Sequence, residues 1–335
     1  MSSVHAHISN VRHVVLVTGA AGFVGRHLLH ALAVANRSKS IFAWRRPSST
    51  PSNTDRDSLG TQWQEIDLLK DEVVRKTILE LKPTRIYHCA GAASVHDSWS
   101  RTLSSLEGNI LATNNLLRAV SSTGIQCRIL ITGSALVYRP SDRAIDENAP
   151  VGPVSPYGLS KLGQEMLGQQ YVEDGLQILL PRSFTHIGPG QSASYAASSF
   201  AQQIARIEIN KAPPVIKVGA LDAKRDLTDV RDTVRAYMML MDHGKTGRHY
   251  NVCSGHAYQI RHVLDRLIDL AKVPVTVTVD ESRLRPSDNP LLLGDPMRIK
   301  NEMGWNPQIP LQKTLKDLLE HWRNVEAGTA REDIS

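Results

Sequence analysis

Cysteine is scarce in this chain: Cys89, Cys127 and Cys253 stand far apart and are odd in number. That excludes a disulfide framework and leads us to expect reduced core thiols in a cytoplasmic protein. Long apolar runs are missing too. Val14–Val17 and Leu291–Leu293 typify the longest, far short of the ~18 residues of a membrane span. The opening MSSVHAHISNVRH contains no apolar stretch of the kind that directs secretion. Thirteen histidines include no HExxH, and their only close pair, His5 and His7, lies in a polar tail, so no metal site is expected. Aromatic residues make up 5% of the chain, and no basic run interleaves with them, which argues against nucleic-acid binding. There is no internal repeat and no low-complexity linker.

What is present is ordinary for a globular protein. The 335 residues suit two domains or one large α/β unit, and a chain this long buries roughly 75% of its unfolded surface without staples. A content of 41% hydrophobic and 21% charged residues rules out disorder as the general state. The excess of 39 Lys and Arg over 33 Asp and Glu, a formal charge of +6, is compatible with an anionic partner and specifies none.

The pattern along the chain is alternating. Residues 1–12 read as a disordered leader. Strands are expected at Val14–Val17, Ser40–Trp44, Gln64–Ile66, Arg85–Cys89, Cys127–Thr132 and Gln177–Leu180. Helices are expected at Gly25–Ala35, Asp71–Leu81, Asn109–Ser121 and Tyr157–Tyr171, with a polar loop at Pro47–Gly60. Strand–helix alternation with apolar strands covered on both faces predicts an α/β fold built on a doubly wound parallel sheet. Beyond Pro181 the rhythm breaks at Gly188, Pro189, Gly190, Pro213, Pro214 and Gly219. Helices return at Val230–Asp242, Ile260–Ala271 and Leu311–Val325, with a strand at His249–Cys253 and a proline-rich segment at Pro274–Pro310. The expected division is a nucleotide-binding domain at 13–180, rejoined by 226–256, and a smaller interwoven domain at 181–225 and 257–325.

The first strand runs into Thr18-Gly-Ala-Ala-Gly-Phe-Val-Gly25. Gly19, Gly22 and Gly25 allow a tight turn, close approach of the backbone to a pyrophosphate, and helix–strand packing. The helix opening at Phe23 and Val24 then offers unpaired N–H groups to phosphate. A dinucleotide site made of Gly19, Gly22, Phe23, Val24 and Gly25 is expected. At the end of the second strand, where NAD enzymes place a carboxylate for the ribose 2′-OH, stand Arg45 and Arg46. An arginine pairs with a 2′-phosphate, so NADP(H) is preferred and NAD(H) is the second choice. Asp67 and Leu68 are placed to touch the adenine, and Ala90 to line the cofactor channel.

Tyr157 and Lys161, four apart, share one helical face. A tyrosine acting near neutral pH must shed about three units from its reference pKa near 10, and a neighbouring ammonium does much of that work. Ser134 follows the strand Cys127–Thr132, where its hydroxyl can hold a carbonyl oxygen against the tyrosine. Ser134, Tyr157 and Lys161 are the candidate catalytic set.

TGAAGFVG, GSALVY and YGLSK resemble the extended short-chain dehydrogenase/reductase family, also described as NAD-dependent epimerases/dehydratases, from about Val14 to Arg323. Within it the chain is most similar to GDP-4-keto-6-deoxy-D-mannose reductases, relatives of GDP-mannose 4,6-dehydratase. The segments carrying this are Pro181–Gln191, Arg225–Asp232, Arg285-Pro-Ser-Asp-Asn-Pro and Leu293-Gly-Asp-Pro296. The resemblance implies a Rossmann-type sheet, a Ser–Tyr–Lys site, a GDP-sugar substrate and a homodimer formed through helices of the nucleotide-binding domain. Two positions depart from it. Thr185 stands where the family often has a substrate-binding Asn, and Leu136 where dehydratases carry a Glu.

That second departure bears on the reaction. A 4,6-dehydratase needs an extra acid and base to expel water from C6, and Leu136 can be neither. A 4-epimerase returns its own hydride and benefits from retained NAD, whereas Arg45 and Arg46 favour exchangeable NADPH. The resulting expectation is reduction at C4 of a nucleotide-diphosphate 4-keto-6-deoxy sugar, giving GDP-D-rhamnose or GDP-6-deoxy-D-talose. Tyr157 would protonate the alkoxide, Ser134 hydrogen-bond it, and Lys161 lower the tyrosine pKa and hold the nicotinamide ribose. Arg225 and Arg285 would clamp the diphosphate, Asp288 would accept from guanine or ribose, and Ser94 and Thr185 would touch the sugar. Epimerase and dehydratase activities are the alternatives within the family. A non-catalytic NADP sensor is the alternative outside it, disfavoured because Tyr157 and Lys161 both stand.

Overall fold

The computed structural model describes residues 13–35, 40–47, 60–283 and 289–329. The expected leader at 1–12 and most of the expected loop at 47–60 lie outside the described residues. Among the described residues no helix is long and apolar enough to cross a membrane.

The first strand, β1 (Val14–Thr18), shows why the sheet is central: all five of its residues are buried. Val15 and Val17 face one apolar cluster and Leu16 faces another, as the two-residue period of a strand requires. Both clusters need cover, and helices supply it on each side. On the first side lie α1 (Phe23–Ala35) and a later helix, Val230–His243. On the second lie α2 (Asp71–Leu81), a helix at Ala112–Thr123 and the long helix Pro156–Glu173.

The remaining strands of this sheet are β2 (Ser40–Arg45), β3 (Gln62–Glu65), β4 (Arg85–His88), β5 (Arg128–Ile131), β6 (Gly133–Ser134), β7 (Gln177–Ser183) and β11 (His249–Val252). Their order is β11-β7-β5-β4-β1-β2-β3, with β6 on β7, and every pairing is parallel. The order reverses between β1 and β4. In open α/β sheets the crevice at the carboxyl ends of the strands flanking that reversal is where ligands bind. The doubly wound α/β sheet expected from the sequence is therefore present.

Differences from the expected elements have local causes. Pro181 lacks an N–H and reads as a strand end, yet β7 continues to Ser183 with Pro181 opposite Tyr250. The expected helix at Asn109–Ser121 is two structures, a π-helical turn at Glu107–Leu111 followed by a helix at Ala112–Thr123. A second sheet is built around β10 (Lys224–Asp229), which pairs with β8 (Thr185–Ile187), β12 (Ala257–Gln259) and β14 (Leu291–Leu292), while β9 (Val215–Val218) and β13 (Thr276–Val279) pair with each other in parallel. The helices Ala196–Glu208, Ile260–Asp269 and Leu311–Ala327 share a separate apolar cluster with Ile187, Ile216 and Leu227. Residues 226–229 thus pair within the second sheet, and the chain returns to the first layer with Val230–His243 and β11.

Candidate active site

The site begins where the loops after β1 and β4 touch. Gly19 has φ +66°, and a Cβ there would lie 2.5 Å from the Ala90 nitrogen, so the two loops meet with room for hydrogen only. Gly25 closes the turn against β1, since a Cβ would lie 2.3 Å from the Gly19 carbonyl oxygen. Gly22 donates to Gly19 O at 3.0 Å, and Ala90 N donates to Thr18 Oγ1 at 3.4 Å. This bare backbone cradle, ending in the N-terminus of a 13-residue helix, fits the pyrophosphate of a dinucleotide. Phe23 on the first turn stacks on His186 (centroids 6.0 Å) and meets His27 edge-on at 5.5 Å. His27 in turn bonds Pro189 O at 2.9 Å, so the glycine turn is tied to the 186–190 loop. Val24 is half-buried beside it.

Arg45 is the last residue of β2 and pairs with Glu65 at the end of β3 (2.8 Å). Arg46 follows it, exposed. Asp67 accepts from Leu69 N at 3.0 Å, and Leu68 O accepts from Asn115 Nδ2 at 2.9 Å. Both sit just past β3, alongside the edge reached by Arg45.

Ser134 ends β6, opposite Ser183 of β7. It caps the short turn Ala135–Val137, its Oγ accepting from Leu136 N at 3.2 Å. The helix carrying Tyr157 and Lys161 starts with Pro156 at its first position and Ser155 as cap, the Ser155 hydroxyl accepting from Gly158 N at 3.1 Å. Burial pushes the Tyr157 phenol up to about 12, the Ser134 hydrogen bond opposes that, and Tyr195 adds to it. At neutral pH the phenol is therefore protonated. The sequence leads us to expect Lys161 to lower this pKa; here the Lys161 ammonium donates instead to Thr132 O and Gln164 Oε1, both at 2.7 Å. Burial lowers Lys161 to about 8, with Cys89 pulling weakly the other way.

Several supports had no motif to announce them. The Ser98 hydroxyl accepts from Tyr157 N at 3.1 Å and so holds the start of the helix that carries Tyr157 and Lys161. Asn109, inside the π-turn, donates to Ser160 Oγ at 2.8 Å. Arg182 on β7 grips Glu165 through two bonds of 2.8 and 2.6 Å, both side chains buried. Burial alone would raise the Glu165 carboxyl, but Arg182 and His249 win and hold it near 2. Tyr195, at the start of the helix Ala196–Glu208, donates to Ala93 O at 3.2 Å and spans the two sheets' loops.

The residues expected to meet substrate are less uniformly placed. Ser94 caps the helix Val95–Ser100, accepting from Asp97 N at 3.1 Å, half-buried in the loop after β4. Thr185 opens β8, two residues beyond Ser183. Arg225 on β10 donates to Lys224 O at 2.8 Å. Its neighbour Asp226 is buried and engaged by Ser254, Gly255 and Gly294, and Asp229 is engaged by Arg231. Much of the Arg225–Asp232 motif thus staples the second sheet together. Arg285 and Asp288 lie outside the described residues.

Residues 16–318 match the family described as GDP-mannose 4,6 dehydratase. GDP-6-deoxy-D-mannose reductase of Pseudomonas aeruginosa is 33% identical over 315 residues, covering 92% of this chain and 96% of that one. The solved structure of RMD from Pseudomonas aeruginosa complexed with NADPH superposes with a TM-score of 0.82 at 32% identity, covering 93% of this chain and 99% of that one. UDP-glucose 4-epimerase of Azospirillum brasilense is 27% identical, covering 88% of this chain and 87% of that one.

Proposed function

This chain belongs to the GDP-mannose 4,6 dehydratase family, and from that membership we propose that it reduces the C4 ketone of a GDP-linked 4-keto-6-deoxy sugar with NADPH. The observation that carries the reading is the Tyr157 phenol, half-buried at the start of its helix and pushed up to about 12 by desolvation against the opposing pull of Ser134, so that it holds its proton at neutral pH. A ketone reductase needs a donor that arrives with its proton, whereas an alcohol oxidase needs the phenolate. Leu136, two residues beyond Ser134, supplies neither acid nor base for loss of water. The 33% identical relative is a GDP-6-deoxy-D-mannose reductase, and another at 24% identity is a GDP-6-deoxy-D-talose 4-dehydrogenase.

The dinucleotide would be held by the turn at Gly19, Gly22, Phe23, Val24 and Gly25, with Ala90 on the channel wall and Asp67 and Leu68 at the adenine. When bound, it supplies the hydride that reduces C4. Tyr157 passes its proton to O4, Ser134 steadies the developing alkoxide, and Lys161 anchors the nicotinamide ribose. Ser94 and Thr185 line the sugar, and Arg225, with Arg285 and Asp288, takes the GDP. The direct test is stoichiometry. One NADPH consumed per GDP-4-keto-6-deoxy-D-mannose supports the reading, and sugar turnover without net NADPH loss favours an epimerase.

Arg45 is proposed to choose NADPH over NADH. Its bond to Glu65 joins a mostly buried guanidinium to a half-exposed carboxylate, a pair of little worth that a dianionic 2′-phosphate can replace. Arg45→Ala should weaken NADPH binding about 30-fold and leave NADH nearly unchanged, as read by fluorescence titration. Equal losses for the two cofactors would remove the contact.

We further propose a homodimer. Leu103, Leu111, Leu159 and Met166 are 69, 45, 54 and 65% exposed on neighbouring elements of one side. Leu159 and Met166 lie seven apart on one helical face. Such an apolar face suits a self-complementary two-fold contact. Light scattering should give twice the chain mass for the native protein and a single chain for a Leu159→Glu, Met166→Glu double variant.

A further inference from the structure

Behind Lys161 runs a line of buried polar side chains. Gln164 is 1% exposed, and Thr113, His88 and Thr18 are fully buried. Lys161 Nζ donates to Gln164 Oε1 (2.7 Å), and Gln164 Nε2 donates to Thr113 Oγ1 (2.7 Å). Thr113 Oγ1 lies 2.8 Å from His88 Nε2, and His88 Nδ1 lies 2.8 Å from Thr18 Oγ1. Thr18 Oγ1 also receives Ala90 N–H, at 3.4 Å.

The direction of every bond in this line follows from what each group can do. An ammonium only donates, so the amide oxygen of Gln164 faces Lys161 and its NH2 faces Thr113. Thr113 has one hydroxyl hydrogen, and it goes to Asn109 O at 2.6 Å, because a carbonyl only accepts. Thr113 Oγ1 must then accept from His88, which fixes the neutral imidazole with its hydrogen on Nε2. Burial agrees, lowering His88 to about 3. His88 Nδ1 is left to accept from the Thr18 hydroxyl. The line is consistent from end to end and joins Ala90, on the proposed dinucleotide channel, to Lys161.

We infer that Gln164, itself aimed by Thr113 and the Nε2–H form of His88, is a positioning residue that keeps the Lys161 ammonium charged and oriented. The inference rests on the reading of Lys161 given above. The titratable groups that face Lys161 are Cys89 and His88 from the end of β4 and Tyr157 from its own helix. At neutral pH all three are uncharged, Cys89 and Tyr157 pushed up to about 12 by burial and His88 lowered. With no anion among these groups, the carbonyl oxygens of Gln164 and Thr132 carry the task of opposing desolvation. An accepting dipole lost here lets the lysine pKa fall, and a carboxylate put in its place makes it rise.

The test is competitive acetylation of the intact ligand-free chain with trace acetic anhydride across pH, reading Lys161 by mass spectrometry of its peptide. Gln164→Leu should move the Lys161 titration down by about one unit, and Gln164→Glu should move it up by about one unit. The alkaline limb of kcat/KM should follow in the same two directions, which a merely structural role would not produce. If Gln164→Leu does not fold, the near-isosteric Gln164→Glu decides alone: an unchanged or lowered titration overturns the inference. Acetylation needs neither sugar nor dinucleotide. Opposite shifts in a protein that reduces no sugar would keep this inference and refute the proposed reaction.

Discussion

Replacing Tyr157 with phenylalanine is expected to slow ketone reduction about 1,000-fold and to change NADPH affinity by less than about twofold. Phenylalanine fills the same volume and keeps the helix that Ser155 and Ser98 cap from outside, so only the proton donor is lost. With the phenol pushed up to about 12 by burial, no part of the pH range near neutrality deprotonates it, and activity should show no limb from Tyr157 below pH 9. Single-turnover rates and fluorescence titration of NADPH separate the two effects. Activity retained within tenfold would assign the proton to another group.

Gly25→Ala is expected to cost about 2–4 kcal/mol of stability and to abolish dinucleotide binding. The added Cβ would sit 2.3 Å from Gly19 O and 2.8 Å from both Ala20 Cα and Ala20 O. All three are backbone atoms of the turn that links β1 to α1, so relief requires the turn itself to open. Gly124→Ala is the informative comparison. Gly124 ends the helix Ala112–Thr123 at φ +64° and would meet nothing within 4 Å. It should cost only the ~1 kcal/mol of a left-handed alanine and leave NADPH binding intact. Denaturant titration with and without NADPH distinguishes a packing failure from a cofactor failure.

The part of the fold that was legible is the part where local pattern and tertiary role coincide. Val14–Thr18 is apolar on both faces because both faces are covered, and the three glycines sit where the backbone must pass within van der Waals reach of itself. The second sheet was not legible, because its strands are as short as Leu291–Leu292 and too brief to show a period of two. The helix Ala196–Glu208 does carry a helical period in Ala197, Phe200, Ala201, Ile204 and Ile207, and was overlooked.

The site divides in the same way. Ser134, Tyr157 and Lys161 follow from spacing and strand ends, but their environment does not. The π-turn that points Asn109 at Ser160 has no sequence signature, and Gln164 is an unremarked amide until the fold places it 2.7 Å from Lys161. Arg225 was expected to clamp a diphosphate as part of one motif, yet its neighbours Asp226 and Asp229 are engaged by backbone N–H groups, hydroxyls and Arg231. Only the folded chain reveals that division of labour.

The +6 charge, uninformative at first, is given chemistry only where an arginine stands at a place a phosphate can reach, as Arg45 does at the end of β2.

The most direct measurement supplies NADPH deuterated at the transferable C4 position of the nicotinamide, together with GDP-4-keto-6-deoxy-D-mannose, and reads the product by NMR. The account predicts one deuterium at C4 of the sugar, a new C4 hydroxyl and one oxidised cofactor per product. Deuterium absent from C4, or a product formed with the cofactor still reduced, would contradict it.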